Sequence, residues 1–343
     1  MNAAVVRFTP ALAPIGTATP SVWSGPSKES LREVAEMQYT RLGTSGLKVS
    51  RLGLGCMSYG QAASGMHQWA LDEDAAAPFF RQAVELGVSF WDTANVYQGG
   101  TSEEFVGRAI RKYSGREDFV VATKVHGTMH DGPGGSGLSR KAILEQLDES
   151  LRRLGTDYVD VYYIHRFDDQ VPVEETMQAL NDVVKAGKVR YLGASSMWAW
   201  QFAKMQHVAA VNGWTTFIAM QDQYNVLKRE EEREMIPLCL DQGVGLTPYS
   251  PLAKGRATRP WGEQTARSSA DAVATAFDRE ADKPVVDAIH RIADARSVPM
   301  AQIAPGLGAV EAGGVLPHRR CHQTQTPRGR RGRPGRQAHR GRD

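Results

Sequence analysis

The chain has 343 residues, of which 41% are hydrophobic and 23% charged, the proportions of an ordinary soluble globular protein. No apolar run reaches the roughly 18 residues a membrane span needs, and Cys56, Cys239 and Cys321 form no CxxC pair. That argues against a disulfide framework or zinc site and for free thiols in a reducing cytoplasm. The net charge of +3 hides an asymmetry: residues 305–343 hold nine arginines against Glu311 and Asp343, so the remaining body is mildly acidic.

Taken in order, residues 1–36 are rich in Pro, Ser, Thr and Ala without a clear apolar period, and read as a disordered N-terminal extension. They lack the charged start and sustained apolar stretch of a signal peptide, and Met37 is a candidate start. Tyr39 to Leu42, a turn at Ser45-Gly46 and Val49 onward suggest a hairpin able to plug one end of a barrel.

Strand and helix patterns then alternate. Seven strands are expected at Arg51–Gly55, Ser89–Asp92, Phe119–Lys124, Tyr158–His165, Val189–Ala194, Phe217–Gln221 and Gly245–Tyr249. Helices are expected at Asp74–Leu86, from Thr101 onward, and at Ser139–Leu154, Val173–Ala186, Ala199–Asn212 and Glu231–Gln242. Such alternation predicts an α/β chain with a parallel sheet and right-handed crossovers, of the (β/α)8 barrel type. Gly255 to Lys283 is a polar insertion placed where a lid would fold. Pro284 to Arg296 reads as a helix, and a further helix from Met300 is expected to end at Ala304, before Pro305.

Three of these strands end on chemistry. One delivers Asp92 with Tyr97 five residues on, one Lys124 and one His165. At the carboxyl ends of parallel strands these side chains would share the barrel face that carries active sites. Any one of them reads as readily as a cap, an ion pair or a core residue; four together at these places do not. Hydride reduction of a carbonyl leaves an alkoxide needing a proton, which Tyr97 would supply. Lys124 would lower the phenol's pKa, Asp92 would keep Lys124 charged, and His165 would bind the same oxygen.

At these residues the sequence resembles the aldo-keto reductase family. Gly53-Leu54-Gly55-Cys56-Met57, Asp92-Thr93-Ala94-Asn95-Val96-Tyr97, Gly193-Ala194-Ser195-Ser196 and Pro248-Tyr249-Ser250-Pro251-Leu252 all look like its motifs. Arg229 to Met235 and Arg259 to Glu263 look closest to its bacterial YajO-like subgroup. The resemblance implies a cytoplasmic, NADPH-dependent reductase of aldehydes or ketones with Asp92, Tyr97, Lys124 and His165 as catalytic residues. It also implies NADP(H) contacts from Cys56, Met57, Asp92, Ser195, Ser196, Gln221, Tyr249, Ser250 and Leu252. Ser195, Ser196 and Gln221 would bond the nicotinamide amide, Tyr249 would stack on its ring, and Ser250 and Leu252 would line the pyrophosphate path.

The resemblance covers residues 37–304. Residues 305–343 supply no eighth strand and helix, and with them goes the family's site for the cofactor's 2′-phosphate. An Arg/Gly/Pro/Ala composition is what GC-rich codons give out of frame, so a frameshift is expected after Ala304. Loss of the closing strand and helix predicts two open sheet edges, low stability and weak activity. The partner expected is a small-molecule carbonyl, with no membrane and no metal. The alternative, a catalytically inactive nucleotide-binding barrel with a nucleic-acid-binding tail, is disfavoured because the tail lacks aromatics for base stacking. Gly132 to Gly137 satisfies GxGxxG but begins too far from a first strand to be a dinucleotide fingerprint. His126 and His130 lack an HExxH glutamate and read as loop residues.

Overall fold

A computed structural model describes residues 4–7, 36–65, 67–265 and 279–311, without the side chains of 4–7 and 306–311. Outside these residues lie most of the expected disordered extension, the middle of the proposed lid, Cys321 and the Arg/Gly tail beyond residue 311.

The main sheet contains β1 (Ala4–Arg7), β4 (Leu52–Gly55), β5 (Phe90–Asp92), β6 (Val120–Val125), β7 (Val159–Ile164), β8 (Val189–Ser195), β9 (Phe217–Gln221) and β10 (Gly245–Leu246). They lie side by side in that order, with β4 to β10 parallel throughout. The helices are α1 (Glu73–Glu85), α2 (Thr101–Tyr113), α3 (Arg140–Leu154), α4 (Val173–Lys185), α5 (Ala199–Val211), α6 (Met235–Gln242), α7 (Lys283–Arg296) and α8 (Met300–Glu311). This is an α/β fold, a (β/α)8-type barrel left incomplete among the described residues. No described helix is long and apolar enough to cross a membrane.

Local chemistry starts and stops the helices. Asp72 accepts the Ala75 N–H at 3.0 Å ahead of α1, and Ser139 accepts the Ala142 N–H at 3.2 Å ahead of α3. Each satisfies a backbone donor that the first helical turn leaves open. Gly155 and Gly243, both left-handed, close α3 and α6.

Period-two alternation sorts the side chains. Along β6, Val121 packs outward with Trp91 and Ile143 under the helices, while Val120 and Ala122 face inward with Phe90, Val161, Tyr163 and Ala219. Lys124 keeps the parity of Val120 and Ala122, Asp92 that of Phe90, and His165 that of Val161 and Tyr163. Each therefore continues an inward row at its carboxyl end. Gly193 makes room for this filling: a Cβ there would lie 2.4 Å from the Tyr163 ring.

The hairpin is present as β2 (Tyr39–Arg41) and β3 (Lys48–Ser50), and its Leu42 and Val49 join the inward cluster at the amino end. Thr44 N–H donates to the Gly243 carbonyl at 2.8 Å, fastening the turn to the chain just before β10.

Three expectations are corrected. Ala4–Arg7, read as part of a disordered extension, forms a strand antiparallel to β4, so the β4 edge expected to be open is paired. α8 does not stop before Pro305 but runs through it to Glu311. The proline forfeits one helical hydrogen bond, and Met300, Ile303 and Ala304 anchor the helix against Val286, Ile289 and Ala293. The last strand is shorter than expected, ending at Leu246, although Thr247 and Tyr249 still bond to Met220 and Asp222 of the β9 side at 2.9 Å each.

Leu42 is 1% exposed beneath the inward layer. Leu42→Ala should destabilise the fold by about 2–5 kcal/mol, read as a lower urea midpoint at unchanged slope.

Candidate active site

The site is assembled where β5, β6, β7, β8, β9 and β10 end. The β5–β6 ladder continues past the last residue of β5, with Thr93 N–H donating to Ala122 at 2.9 Å and Asn95 N–H to Lys124 at 3.2 Å. This holds the segment after Asp92 along β6 until it turns and sets Tyr97 over Lys124.

Lys124 is fully buried and has three oxygen partners. Its Nζ donates to Asp92 Oδ1, to the Thr93 carbonyl at 2.7 Å and toward the Tyr97 hydroxyl at 3.3 Å. It also lies 4.8 Å from the Tyr97 ring centre. The second oxygen of Asp92 accepts from Gln221 Nε2 at 2.9 Å, which ties β9 to the pair. His165 meets Tyr97 edge-on, with ring centres 5.7 Å apart.

The same network reaches the polar ends of β8 and β10. Ser195 Oγ donates to the Gln221 carbonyl at 2.7 Å, and Ser196 Oγ lies 3.4 Å from the Tyr249 hydroxyl. Asp92, Tyr97, Lys124, His165, Ser195, Ser196, Gln221 and Tyr249 thus form one connected group. Ser250 borders it, its carbonyl accepting from Asn225 at 2.9 Å, and Leu252 opens the turn Ala253–Thr258. Cys56 adjoins Asp92 but is packed in the core, with Sγ toward the Leu54 carbonyl at 3.4 Å, and burial pushes the thiol well up. Met57, next in the chain, is half-buried.

The electrostatics differ from the sequence expectation at one group. Burial pushes the Tyr97 phenol up, and the downward pull of Lys124 does not overcome it, so the phenol is a weaker acid than an exposed tyrosine. The sequence reading assigned the opposite direction because it counted the charge and not the desolvation. For Lys124, burial works against the charge, but Asp92, Tyr97 and the hydrogen bonds to both hold the ammonium above the ordinary lysine value. Burial, followed by Lys124, Arg166 and His126, pushes His165 down to about 2. Its imidazole is therefore neutral at working pH.

Sequence reasoning missed Asp222, whose Oδ1 accepts the Ser196 N–H at 2.8 Å. Its signal was an acid directly following the last residue of an apolar strand. The glycine-rich stretch is a folded loop between β6 and α3, closed by Met129 N–H to Gly135 at 2.8 Å and Gly137 N–H to His126 at 2.9 Å.

The neutral His165 has a consequence for acid stability. Below about pH 6.5 the unfolded chain binds a proton that the folded chain refuses, so stability falls as pH drops, by up to about 1.4 kcal/mol per unit for this residue. Nitrogen NMR of the folded protein should show a neutral His165 ring from pH 5 to 8, and His165→Gln should flatten that part of the stability profile. A ring titrating near 6.5 would contradict the site described.

A model of the Aldo/keto reductase family matches residues 51–305. The chain is 46% identical over 291 residues to a versiconal hemiacetal acetate reductase of Aspergillus parasiticus, covering 78% of this chain and 84% of that one. It is 43% identical over 307 residues to an aldo-keto reductase of Fusarium vanettenii, covering 80% and 82%. It is 41% identical over 310 residues to the aldo-keto reductase AMT2 of Alternaria alternata, covering 82% and 84%. With half of its length and more matched, and with this barrel beneath the match, the chain belongs to the Aldo/keto reductase family.

Proposed function

We propose that this oxidoreductase reduces aldehydes or ketones to alcohols with NADPH, and that Tyr97 is the general acid. The observation that carries the reading is the Tyr97 hydroxyl within 3.3 Å of a buried, carboxylate-paired ammonium and edge-on to a neutral imidazole.

The donor set beside these groups suits a nicotinamide. Ser195, Ser196 and Gln221 offer two hydroxyls and an amide for a carboxamide, and Tyr249 offers an aromatic face for a flat ring. Ser250 and Leu252 would follow the pyrophosphate, and Cys56 and Met57, directly after the Gly55 that pairs with Asp92, would add contacts from the β4 side. When bound, the reduced cofactor supplies a hydride to the carbonyl carbon.

The chain's own residues handle the oxygen. Tyr97 gives its phenolic proton to the carbonyl oxygen as negative charge gathers there. Burial keeps that proton in place at neutral pH, so the resting group is the acid form. Lys124 stabilises the phenolate left behind, and Asp92 keeps the ammonium charged and aimed. Neutral His165 donates an N–H to the same oxygen, fixing the carbonyl and sharing its charge.

The substrate side suggests ring-bearing carbonyls. Trp198 and Trp200 are exposed where β8 gives way to α5, and Trp200 lies 6.2 Å from Phe167, which follows β7. An aromatic rim of this kind suits a planar apolar ligand.

Finer placements are proposals too. NADP(H) over NAD(H) rests on the family resemblance, and the ratio of kcat/KM for NADPH and NADH tests it. The YajO-like affinity rests on Arg229–Met235 and Arg259–Glu263, whereas the relatives compared above are fungal. The reductase relatives favour the enzyme over a nucleotide-binding barrel with a nucleic-acid-binding tail. For residues 305–343 we propose an out-of-frame segment; the coding DNA around Ile303 should restore an apolar helix and strand in another frame.

Tyr97→Phe should lower kcat for aldehyde reduction about 10²- to 10⁴-fold while leaving NADPH affinity within about twofold. Equal turnover in the variant would overturn the assignment. Trp200→Ala should raise KM for aromatic aldehydes several-fold and leave KM for short aliphatic ones unchanged.

A further inference from the structure

Asp222 follows Gln221 at the carboxyl end of β9 and is 6% exposed. Its Oδ1 accepts the Ser196 N–H at 2.8 Å, and its backbone carbonyl accepts the Tyr249 N–H at 2.9 Å. Its Oδ2 is buried with no hydrogen-bond partner among the described residues. One residue therefore ties together the ends of three strands and keeps half of its carboxyl group in reserve.

The bond to Ser196 is made at a strained place. Ser196 has φ +50°, in the left-handed region that a residue with a Cβ rarely adopts, and such a backbone persists only where its surroundings hold it. Ser196 N–H is also held by the Gln221 carbonyl at 3.2 Å, so β9 supplies both restraints.

Four groups face the carboxyl: Glu231 from the turn after β9, Cys239 from α6, Arg166 from the loop after β7, and the Ser196 N–H after β8. Burial and the like charge of Glu231 push Asp222 up to about 7, against the Ser196 N–H and Arg166. At that value the group changes charge within the working range, unlike Tyr97 or His165.

We infer that Asp222 is a positioning residue: its carboxylate holds the Ser195–Ser196 turn in the form that receives the nicotinamide carboxamide, and protonation of that carboxylate weakens cofactor binding. This rests on the proposed assignment of Ser195, Ser196 and Gln221 to the carboxamide. An ionised carboxylate is the stronger acceptor for the Ser196 N–H, whereas a proton on Oδ2 has no acceptor within hydrogen-bond distance among the described residues. Affinity should therefore be highest above the folded-state value and fall as pH drops through it.

The test is the Kd of the full chain for NADPH, from quenching of tryptophan fluorescence between pH 5.5 and 8.5. From pH 8 to 6 the Kd of the unaltered protein should rise about 3- to 10-fold more than that of Asp222→Asn. The cofactor's own phosphate titrates alike in both proteins, so the difference isolates the carboxyl. Asp222→Asn should bind at every pH as the protonated protein does, and Glu231→Gln, which removes the like charge, should move the inflection to lower pH. Identical pH profiles for the unaltered protein and Asp222→Asn, or an inflection unmoved in Glu231→Gln, would overturn the inference. Gln221→Ala separates the two levels. If it binds NADPH as tightly as the parent, the carboxamide assignment fails and this inference with it; if it weakens binding while Asp222→Asn keeps the parent profile, only this inference fails.

Discussion

A lysine ammonium with no exposed surface has to be paid for by its neighbours, and much of the site follows from how Lys124 is satisfied. An uncompensated charge at that depth would lose its proton or destabilise the fold by several kcal/mol. Asp92, the Thr93 carbonyl and the Tyr97 hydroxyl supply three oxygens, and all three come from one segment of seven residues or fewer after β5 begins to end. The pairing thus does two things at once: it keeps the amine charged, and it dictates the path of the chain that carries the phenol. Gln221 then fixes the far oxygen of Asp92, so the charge pair also sets the position of β9 relative to β5 across the barrel.

The two ends of the barrel divide stability from chemistry. At the amino end the plug of Leu42 and Val49 is apolar and regular. Of the seven non-glycine residues with positive φ among the described residues, six lie in the loops that follow the strands, Gln98, His126, Ser196, Ser250, Ala253 and Lys254, and one, Ser297, follows α7. Each is a local expense that the surrounding hydrogen bonds must offset. Their concentration on the face that bears Asp92, Tyr97 and Lys124 fits a scaffold that stores its strain where side chains must be aimed, and leaves the opposite face to packing.

Much of this was legible because two periods run through the sequence. Phe217–Gln221 is read to the residue, and the inward parity of Val120, Ala122 and Lys124 can be counted along the chain without coordinates. Caps such as Ser139 carry their own signal. What escaped depends on neighbours far away in sequence. Ala4–Arg7 carries two β-branched residues, Val5 and Val6, but four residues are too short a run to signal a strand without the edge of β4 beside them. Pro305 reads as a stop because the packing of Met300, Ile303 and Ala304 that carries α8 past it lies on α7. Asp222 looks like any loop acid until Ser196 and Glu231 arrive from other turns.

The misjudged direction at Tyr97 bears on which group yields the proton in the proposed reduction. Charge counting alone would make the phenol acidic, but burial wins and keeps it protonated. His165 is neutral and pushed down to about 2, so it carries no ionisable extra proton at neutral pH; to act as the donor it would have to become an imidazolate, a far stronger base than a phenolate. Tyr97 has the ammonium of Lys124 at hand to receive the charge that proton loss creates, and the alkoxide product is a stronger base than the phenolate, so transfer runs downhill even from a weakened acid. In the proposed reduction, the same burial that makes Tyr97 a poor acid in the resting protein would keep it loaded, while the fixed ammonium would make it usable at the moment negative charge appears on the substrate oxygen.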